Sequence, residues 1–323
     1  MTSPVVTAAG LGALPKRVDV YEVGPRDGLQ NELRTLATPD KARLIEALIA
    51  AGETRIEVSS FVSPRWIPQL ADAEKLLALL PRREGVRFTA LVPNAKGLER
   101  AIAAKLPEAA VFLSVTEAHS KKNINKSVAE AVAAAHETAK GAQAAGMRVR
   151  CYLSTVWGCP YEGRVPVGRV VEVVKRIADI GLYQLSLGDT IGIGTPNQTA
   201  EIVGEVSKVV PLEQLALHLH DTRGTALANA LVGLQLGVTT FDSSIGGLGG
   251  CPYAPGAAGN LATEDLVFML HGMGVETGID LAKLVEAGEL AQELIGRKLS
   301  GKYLQAALGE REKQASRARA VAE

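Results

Sequence analysis

One pattern of apolar and polar positions repeats along most of the chain. A short β-rich run is followed by a polar or Gly/Pro-containing stretch, a helical stretch, a glycine, and then the next β-rich run. The runs fall at 18–23 (VDVYEV), 55–60 (RIEVSS), 87–92 (RFTALV), 110–115 (AVFLSV), 148–154 (RVRCYLS), 183–187 (YQLSL), 215–220 (LALHLH) and 238–244 (VTTFDSS). Their centres lie roughly 23 to 39 residues apart, the length of one strand-plus-helix unit. The helical stretches carry start and stop signals. Thr38-Pro39-Asp40 predicts an N-cap, a proline in the first turn and an acidic first turn for the next helix. Thr195-Pro196 predicts the same start for a helix ending near Val210. Gly52, Gly146, Gly181 and Gly237 each stand just ahead of a strand, where a left-handed residue ends a helix.

Strands that alternate with helices imply a parallel sheet. Eight such units within about 250 residues imply a closed (β/α)8 TIM barrel, α/β in class, rather than an open doubly wound sheet. The expected organisation is a disordered N-terminal lead-in over 1–16, one barrel over 17–297 and a helical tail over 298–323. Barrels of this type carry their chemistry at the C-terminal ends of the strands and in the loops that follow. Polar residues collect at those places here: Arg26 and Asp27 after strand one, Glu57 in strand two, Glu117 and His119 after strand four. Asp189 follows strand six, His218 and His220 end strand seven, and Cys251 and Asn260 follow strand eight.

His218-Leu219-His220 is the sharpest of these features. Side chains at i and i+2 of a strand share a face, so two of the chain's five histidines converge at the mouth of the barrel. Such a pair is satisfied by hydrogen bonds or holds a metal. Asp27 favours the metal, because strand one lies near strands seven and eight in a closed barrel. With Asn260 the set offers two nitrogen and two oxygen donors and leaves room for substrate oxygens. That mix suits Mg²⁺ or Mn²⁺ and admits Zn²⁺ or Co²⁺. Arg26 is suited to stabilising an oxyanion or enolate, and also to an ion pair with Glu57. The run 246–260, GGLGGCPYAPGAAGN, is too rich in glycine for packing alone. It reads as a loop that approaches a ligand or closes over it, with Cys251 in its middle. The basic segment 119–126, HSKKNINK, reads as a loop ahead of a helix opening near Ser127, suited to the phosphates of a nucleotide-like carrier.

Composition narrows the partners. Apolar residues make up 47% of 323, enough for a sizeable core. Thirty-five basic residues balance thirty-five acidic ones, which argues against a nucleic-acid partner. No stretch approaches ~18 uninterrupted apolar residues, which argues against a membrane span. Three cysteines, none in a C-x-x-C pair, cannot build a disulfide framework and fit a reducing, cytoplasmic compartment. The opening MTSPVVTAAGLGALPKR lacks the basic region of a signal peptide and the arginines of a transit peptide.

The segments EVGPRDGLQNE, IEVSSFVSP, KKNIN, GCPYEG, SLGDTIGIGTP, HLHDTRGTALAN and GLGGCPYAPGAAGNLATEDL together resemble the hydroxymethylglutaryl-CoA lyase family, over about 18–297. The resemblance implies cleavage of 3-hydroxy-3-methylglutaryl-CoA to acetyl-CoA and acetoacetate. It implies Asp27, His218, His220 and Asn260 as ligands of a divalent metal, Arg26 as the essential arginine and Cys251 as the loop cysteine. Glu57 and Asp189 would be polar site residues, and Asn123 and Lys122 would meet substrate or CoA. The base that takes the substrate's hydroxyl proton stays open among Asp27, Glu57, Asp189 and metal-bound water. A homodimer and a role in leucine or ketone-body catabolism follow from the same resemblance. Two positions depart from it: Leu219 between the histidines, and Arg223, where an aromatic residue is usual. Arg223 therefore leaves related 3-hydroxy-3-acyl-CoA thioesters open as substrates. A Claisen-type synthase of the same barrel group shares the histidine pair and the Arg-Asp pair, but such enzymes usually carry a further C-terminal region, and the cysteine-bearing loop favours the lyase.

Overall fold

The computed structural model describes residues 12–249 and 259–322. Among these residues eight parallel strands close into a barrel: β1 (Asp19–Glu22), β2 (Arg55–Ser60), β3 (Arg87–Leu91), β4 (Glu108–Ser114), β5 (Arg148–Ser154), β6 (Gln184–Asp189), β7 (Leu215–Leu219) and β8 (Thr240–Ser243). Consecutive strands pair, and β8 returns to β1 with Asp19 opposite Thr240 and Glu22 opposite Ser243. The TIM-barrel expectation is met, and each strand begins and ends within two residues of its predicted run. Outside the barrel lie α1 (Thr38–Ala50), α2 (Ala73–Leu79), α3 (Ala95–Ala103), α4 (Glu117–Ile124), α5 (Val128–Ala144), α6 (Val167–Ile177), α7 (Pro196–Val206), α8 (Ala226–Gln235), α9 (Thr263–Gly272), α10 (Leu281–Ile295) and α11 (Lys302–Ala322). No helix among the described residues is long and apolar enough to cross a membrane.

Two-residue alternation along the strands divides the molecule into two chemistries. In β7, Leu215, Leu217 and Leu219 join the core under the helices, while His218 takes the opposite face. In β5, Val149, Cys151 and Leu153 face the helices, and Arg150 and Tyr152 take the barrel side. The core between sheet and helices is mostly aliphatic, with Phe61, Phe88, Trp157 and Phe241 among the leucines, valines and isoleucines, and each fully buried leucine in it contributes roughly 1.5–3 kcal/mol. The barrel interior is instead a hydrogen-bonded polar lattice.

Local signals held in part. Thr195 caps α7 in a reciprocal pair with Gln198, and α7 ends at Val206, four residues before the expected Val210. Gly52, Gly146, Gly181 and Gly237 have φ of 105°, 80°, 79° and 97°. Thr38 is not the cap of α1. It is the first helical residue after Ala37, and its hydroxyl donates to Asp72 Oδ2 at 2.7 Å. The segment after β4 is a helix, not a loop. α4 runs to Ile124, Asn125 closes it with φ 54°, and Ser127 opens α5 with a capping box to Glu130. After β5 a small hairpin pairs Gly158–Cys159 with Gly163–Arg164. The lead-in expected over 1–16 lies outside the described residues up to residue 11, and Lys16 is tied by its carbonyl to Glu276 N at 2.9 Å.

Candidate active site

The chain leaves β1 through one turn of π-helix, Gly24–Gly28, with Pro25 in its first turn. The amides of Asp27 and Gly28 both reach back to Val23 O, at 2.7 and 3.3 Å. This wide turn aims two successive side chains, Arg26 and Asp27, into the mouth of the barrel, and such turns recur at functional sites. The Glu22 carboxylate holds it from behind, accepting from Gly24 N at 2.7 Å and from Ile245 N at 2.9 Å. The turn after β1 is thereby fastened to the turn after β8.

Arg26 Nε donates to Glu57 Oε2 at 2.6 Å, and its Nη1 donates to Asp27 Oδ1. Among the described residues its Nη2 makes no hydrogen bond, and Arg26 lines the central cavity. Burial alone would raise the Asp27 pKa, but Arg26 and the two imidazoles outweigh it and hold this carboxyl well below the usual carboxylate range. Burial pushes Glu57 up despite the opposing pull of Arg26.

One donor atom each from Asp27, His218 and His220 lies within 4.8 Å of the others. The Nε2 atoms of the two histidines face each other at 3.3 Å, and Asp27 Oδ2 is 3.9 Å from His218 Nε2. Burial, then His218, pulls the His220 pKa down to about 4, so this ring is neutral near neutral pH and offers a lone pair. On the far side of His218, Nδ1 lies 3.3 Å from Asp242 Oδ2. A carboxylate only accepts, so Nδ1 carries the proton and Nε2 presents its lone pair to the site. An anionic carboxylate and two imidazole nitrogens directed at one point fit a divalent cation. Asn260 stands beside them. His220 and Asn260 form a backbone bridge, and Asn260 Nδ2 donates to Asp27 Oδ2 at 2.7 Å and to Leu248 O at 3.1 Å. In this arrangement Asn260 braces the Asp27 carboxylate through its amide nitrogen.

Beneath the triad runs a network that sequence reasoning missed. Arg150 is fully buried and donates to Gln184 Oε1 at 2.8 Å, to the Tyr152 hydroxyl at 2.7 Å and to Asp242 Oδ1. Tyr152 donates in turn to Glu57 Oε2 at 3.0 Å, and Ser186 donates to Asp242 Oδ2 at 2.7 Å. The chain Asp27–Arg26–Glu57–Tyr152–Arg150–Asp242–His218 thus links both sides of the triad. Its signal was present: Arg150 and Tyr152 in RVRCYLS, and Asp242 in TTFDSS, put polar groups at positions of one strand face, where burial demands partners.

A cavity of about 760 Å³ spans the mouth. Arg26, Asp27, His218, His220 and Tyr152 line it on one side, and His119, Lys122, Asn123, Asn125 and Lys126 on the other, with Leu91, Val92 and Pro93 between. Lys122 and Asn123 therefore line the same cavity as the triad. His119 shares a hydrogen bond with Ser114 Oγ at 2.7 Å, and Glu117 accepts from Val128 N at 2.9 Å, capping α5. Two expected site residues are placed elsewhere. Asp189 is buried, and its carboxylate accepts from Ile193 N at 3.1 Å and Gly194 N at 2.8 Å, so it shapes the loop after β6 and does not line the cavity. Arg223 donates to Ile191 O at 2.7 Å and lines a separate cavity of about 530 Å³ with Trp157, Tyr161 and Arg164. Cys251 lies outside the described residues. The described ends of its loop are at the site: a Cβ on Gly249, whose φ is +100°, would come within 2.5 Å of Asn260 Nδ2.

Comparison with known proteins bears on this geometry. Residues 17–291 match the family model described as HMGL-like. The chain is 50% identical over 301 residues to the mitochondrial hydroxymethylglutaryl-CoA lyase of Pongo abelii, covering 93% of each chain. It is similar to the crystal structure of hydroxymethylglutaryl-CoA lyase from Pseudomonas aeruginosa, with a TM-score of 0.90 and 45% identity over 92% of this chain and 99% of that one. It is also similar to the structure of an HMG-CoA lyase from Acinetobacter baumannii in complex with coenzyme A and 3-methylmalate, with a TM-score of 0.86 and 37% identity over 90% and 95% of the two chains.

Proposed function

The chain belongs to the HMGL-like family, and from that premise we propose that it is a carbon–carbon lyase that cleaves 3-hydroxy-3-methylglutaryl-CoA to acetyl-CoA and acetoacetate. The observation that carries this reading is the meeting of Asp27, His218 and His220 with Arg26 on the wall of a cavity that also reaches the lysine-bearing end of α4. Asp27, His218 and His220 are the residues that would hold a divalent cation, Mg²⁺ or Mn²⁺, with Asn260 beside them. When bound, that ion supplies a Lewis acid and a template for two substrate oxygens.

The chain's own residues account for the rest. The C2–C3 bond breaks as the tertiary hydroxyl becomes a ketone, and the bonding electron pair passes to the thioester as an enolate. Asp27 is the carboxylate on the cavity wall and orients the substrate hydroxyl; the base that takes the hydroxyl proton stays open among Asp27, Glu57, Asp189 and a water at the site. Glu57 Oε2 accepts from Arg26 and Tyr152 while Oε1 has no partner among the described residues, Asp189 accepts from two backbone amides, and neither residue lines the cavity. Arg26 is anchored through Nε and Nη1, which leaves Nη2 for the charge that develops on the thioester oxygen. Protonation of the enolate at C2 completes acetyl-CoA. We assign that proton to Cys251 from its place in the sequence, between Gly249, which lines the cavity, and Asn260, which donates to Asp27. Lys122 and Asn123 are assigned to the CoA carrier, whose phosphates call for cations.

Incubation of the purified protein with Mg²⁺ and the thioester, with acetoacetate and acetyl-CoA assayed separately, tests the reading. A Claisen-type synthase would instead consume acetyl-CoA and release free thiol. We further propose a homodimer, a cytoplasmic location and a part in leucine or ketone-body catabolism; sedimentation tests the first.

A further inference from the structure

We propose that Trp66 is the platform on which the adenine ring of the substrate's CoA carrier stacks; the inference rests on the acyl-CoA reading of the same cavity. Trp66 follows β2 and is 78% exposed, an unusual setting for the largest aromatic side chain. Its loop is pinned rather than trailing. Trp66 N donates to Ser63 O at 2.9 Å, Arg100 Nη1 donates to Val62 O at 3.2 Å, and Gln69 Nε2 donates to Glu32 O at 3.1 Å. The ring is thus presented from a fixed turn at the lip of the 760 Å³ cavity.

The order of chemical groups in an acyl-CoA selects what Trp66 meets. The reacting carbons belong beside Asp27 and His218. The phosphates belong near Lys122 and Lys126, which line the same cavity. Beyond the phosphates the carrier has one flat π-face, the adenine. Tyr152 is buried and its hydroxyl is committed to Glu57, whereas the Trp66 ring stands open to solvent. A base can stack on it without displacing any side chain, and such stacking is worth about tenfold or more in affinity.

The chain has two tryptophans, and the other, Trp157, is buried with its Nε1 donating to Thr199 Oγ1. Trp66 emission is therefore the direct readout. CoA and adenosine 3′,5′-bisphosphate should quench it, pantetheine should not, and Trp66→Ala should abolish the response. In kinetics, Trp66→Ala should raise KM for the CoA thioester ~10-fold or more with kcat within a few-fold, Trp66→Phe should recover most of the loss, and the pantetheine thioester should be cleaved equally by both forms. Unchanged quenching and KM in Trp66→Ala, or an equal penalty on the pantetheine thioester, overturns the proposal. If the wild type fails to cleave the CoA thioester while CoA still quenches Trp66, the lyase reading falls and the stacking site stands.

Discussion

His218 Nδ1 lies 3.3 Å from Asp242 Oδ2, and this contact decides which nitrogen of His218 faces Asp27. Burial alone would raise the Asp242 pKa, but Arg150 outweighs it and keeps the carboxyl below its ordinary range, ionised and able to accept from Nδ1. Asp242→Asn keeps the shape but lets the amide donate, which removes the preference for that tautomer. Divalent-cation affinity, read by Mn²⁺ titration in electron paramagnetic resonance, should fall ~10- to 100-fold. Unchanged Mn²⁺ affinity in a folded variant would show that Asp242 serves only to neutralise Arg150.

In the proposed mechanism Arg26 meets charge that exists only as the bond breaks, so its loss should appear in kcat more than in KM. Arg26→Gln should lower kcat by ~10²-fold or more, the scale of one strong electrostatic donor. Steady-state kinetics at saturating metal check this, and a kcat within a few-fold of wild type would remove Arg26 from the chemistry. A drop in Mn²⁺ affinity instead would make it a brace for Asp27.

Much of this was legible in the residues, for identifiable reasons. The eight strands are β-rich runs flanked by glycine and polar stretches, and two-residue alternation alone brings His218 and His220 to one face. Closure of the barrel then brings Asp27 to them. The helix at Glu117–Ile124 was not legible, because EAHSKKNI has no apolar stripe and ends at once on a left-handed asparagine. Asp189 and Arg223 sit beside the motifs expected of a site, yet the loop between them turns their polar atoms onto backbone carbonyls and amides. Sequence position alone does not reveal that turn. The Arg150–Asp242 pair joins residues 92 apart in the chain and depends on barrel closure.

Glu53 is buried, and neither of its carboxylate oxygens has a partner among the described residues. Burial, then Glu22 and Glu264, raises its pKa well above the ordinary carboxyl value, and burial pushes Glu22 to about 7 and Glu264 to about 8. The folded state therefore keeps protons that the unfolded chain gives up near the ordinary value. The stability they contribute is full below that value and is lost as pH rises through the folded-state values. Glu53→Leu should raise stability by ~1–3 kcal/mol at about pH 8 and by less at about pH 5. Denaturant melts at the two pH values check it, and a variant less stable than wild type at the higher pH would contradict the account.

Cys251→Ser should keep metal and substrate binding and lose most turnover, because a hydroxyl is a far weaker acid than a thiol. Solvent-deuterium incorporation into acetyl-CoA reads the step directly. Wild-type rates of cleavage and exchange in the variant would leave Cys251 without a chemical part. Cys151 and Cys159 are buried and neither lines the 760 Å³ cavity, although Cys159 lines the smaller one, so alkylation should inactivate the wild type, and Cys251→Ser/Cys159→Ala should suffer no further loss relative to Cys251→Ser.

The central claim is that Asp27, His218 and His220 hold the divalent ion on which cleavage of the thioester depends. Its most direct measurement is turnover of 3-hydroxy-3-methylglutaryl-CoA by chelator-stripped protein during titration with Mn²⁺ or Mg²⁺, with both products quantified. The account predicts negligible turnover without metal, saturable recovery, equal amounts of acetyl-CoA and acetoacetate, and loss of recovery in His220→Ala. Full turnover in excess chelator, or no acetoacetate at any metal concentration, would contradict it.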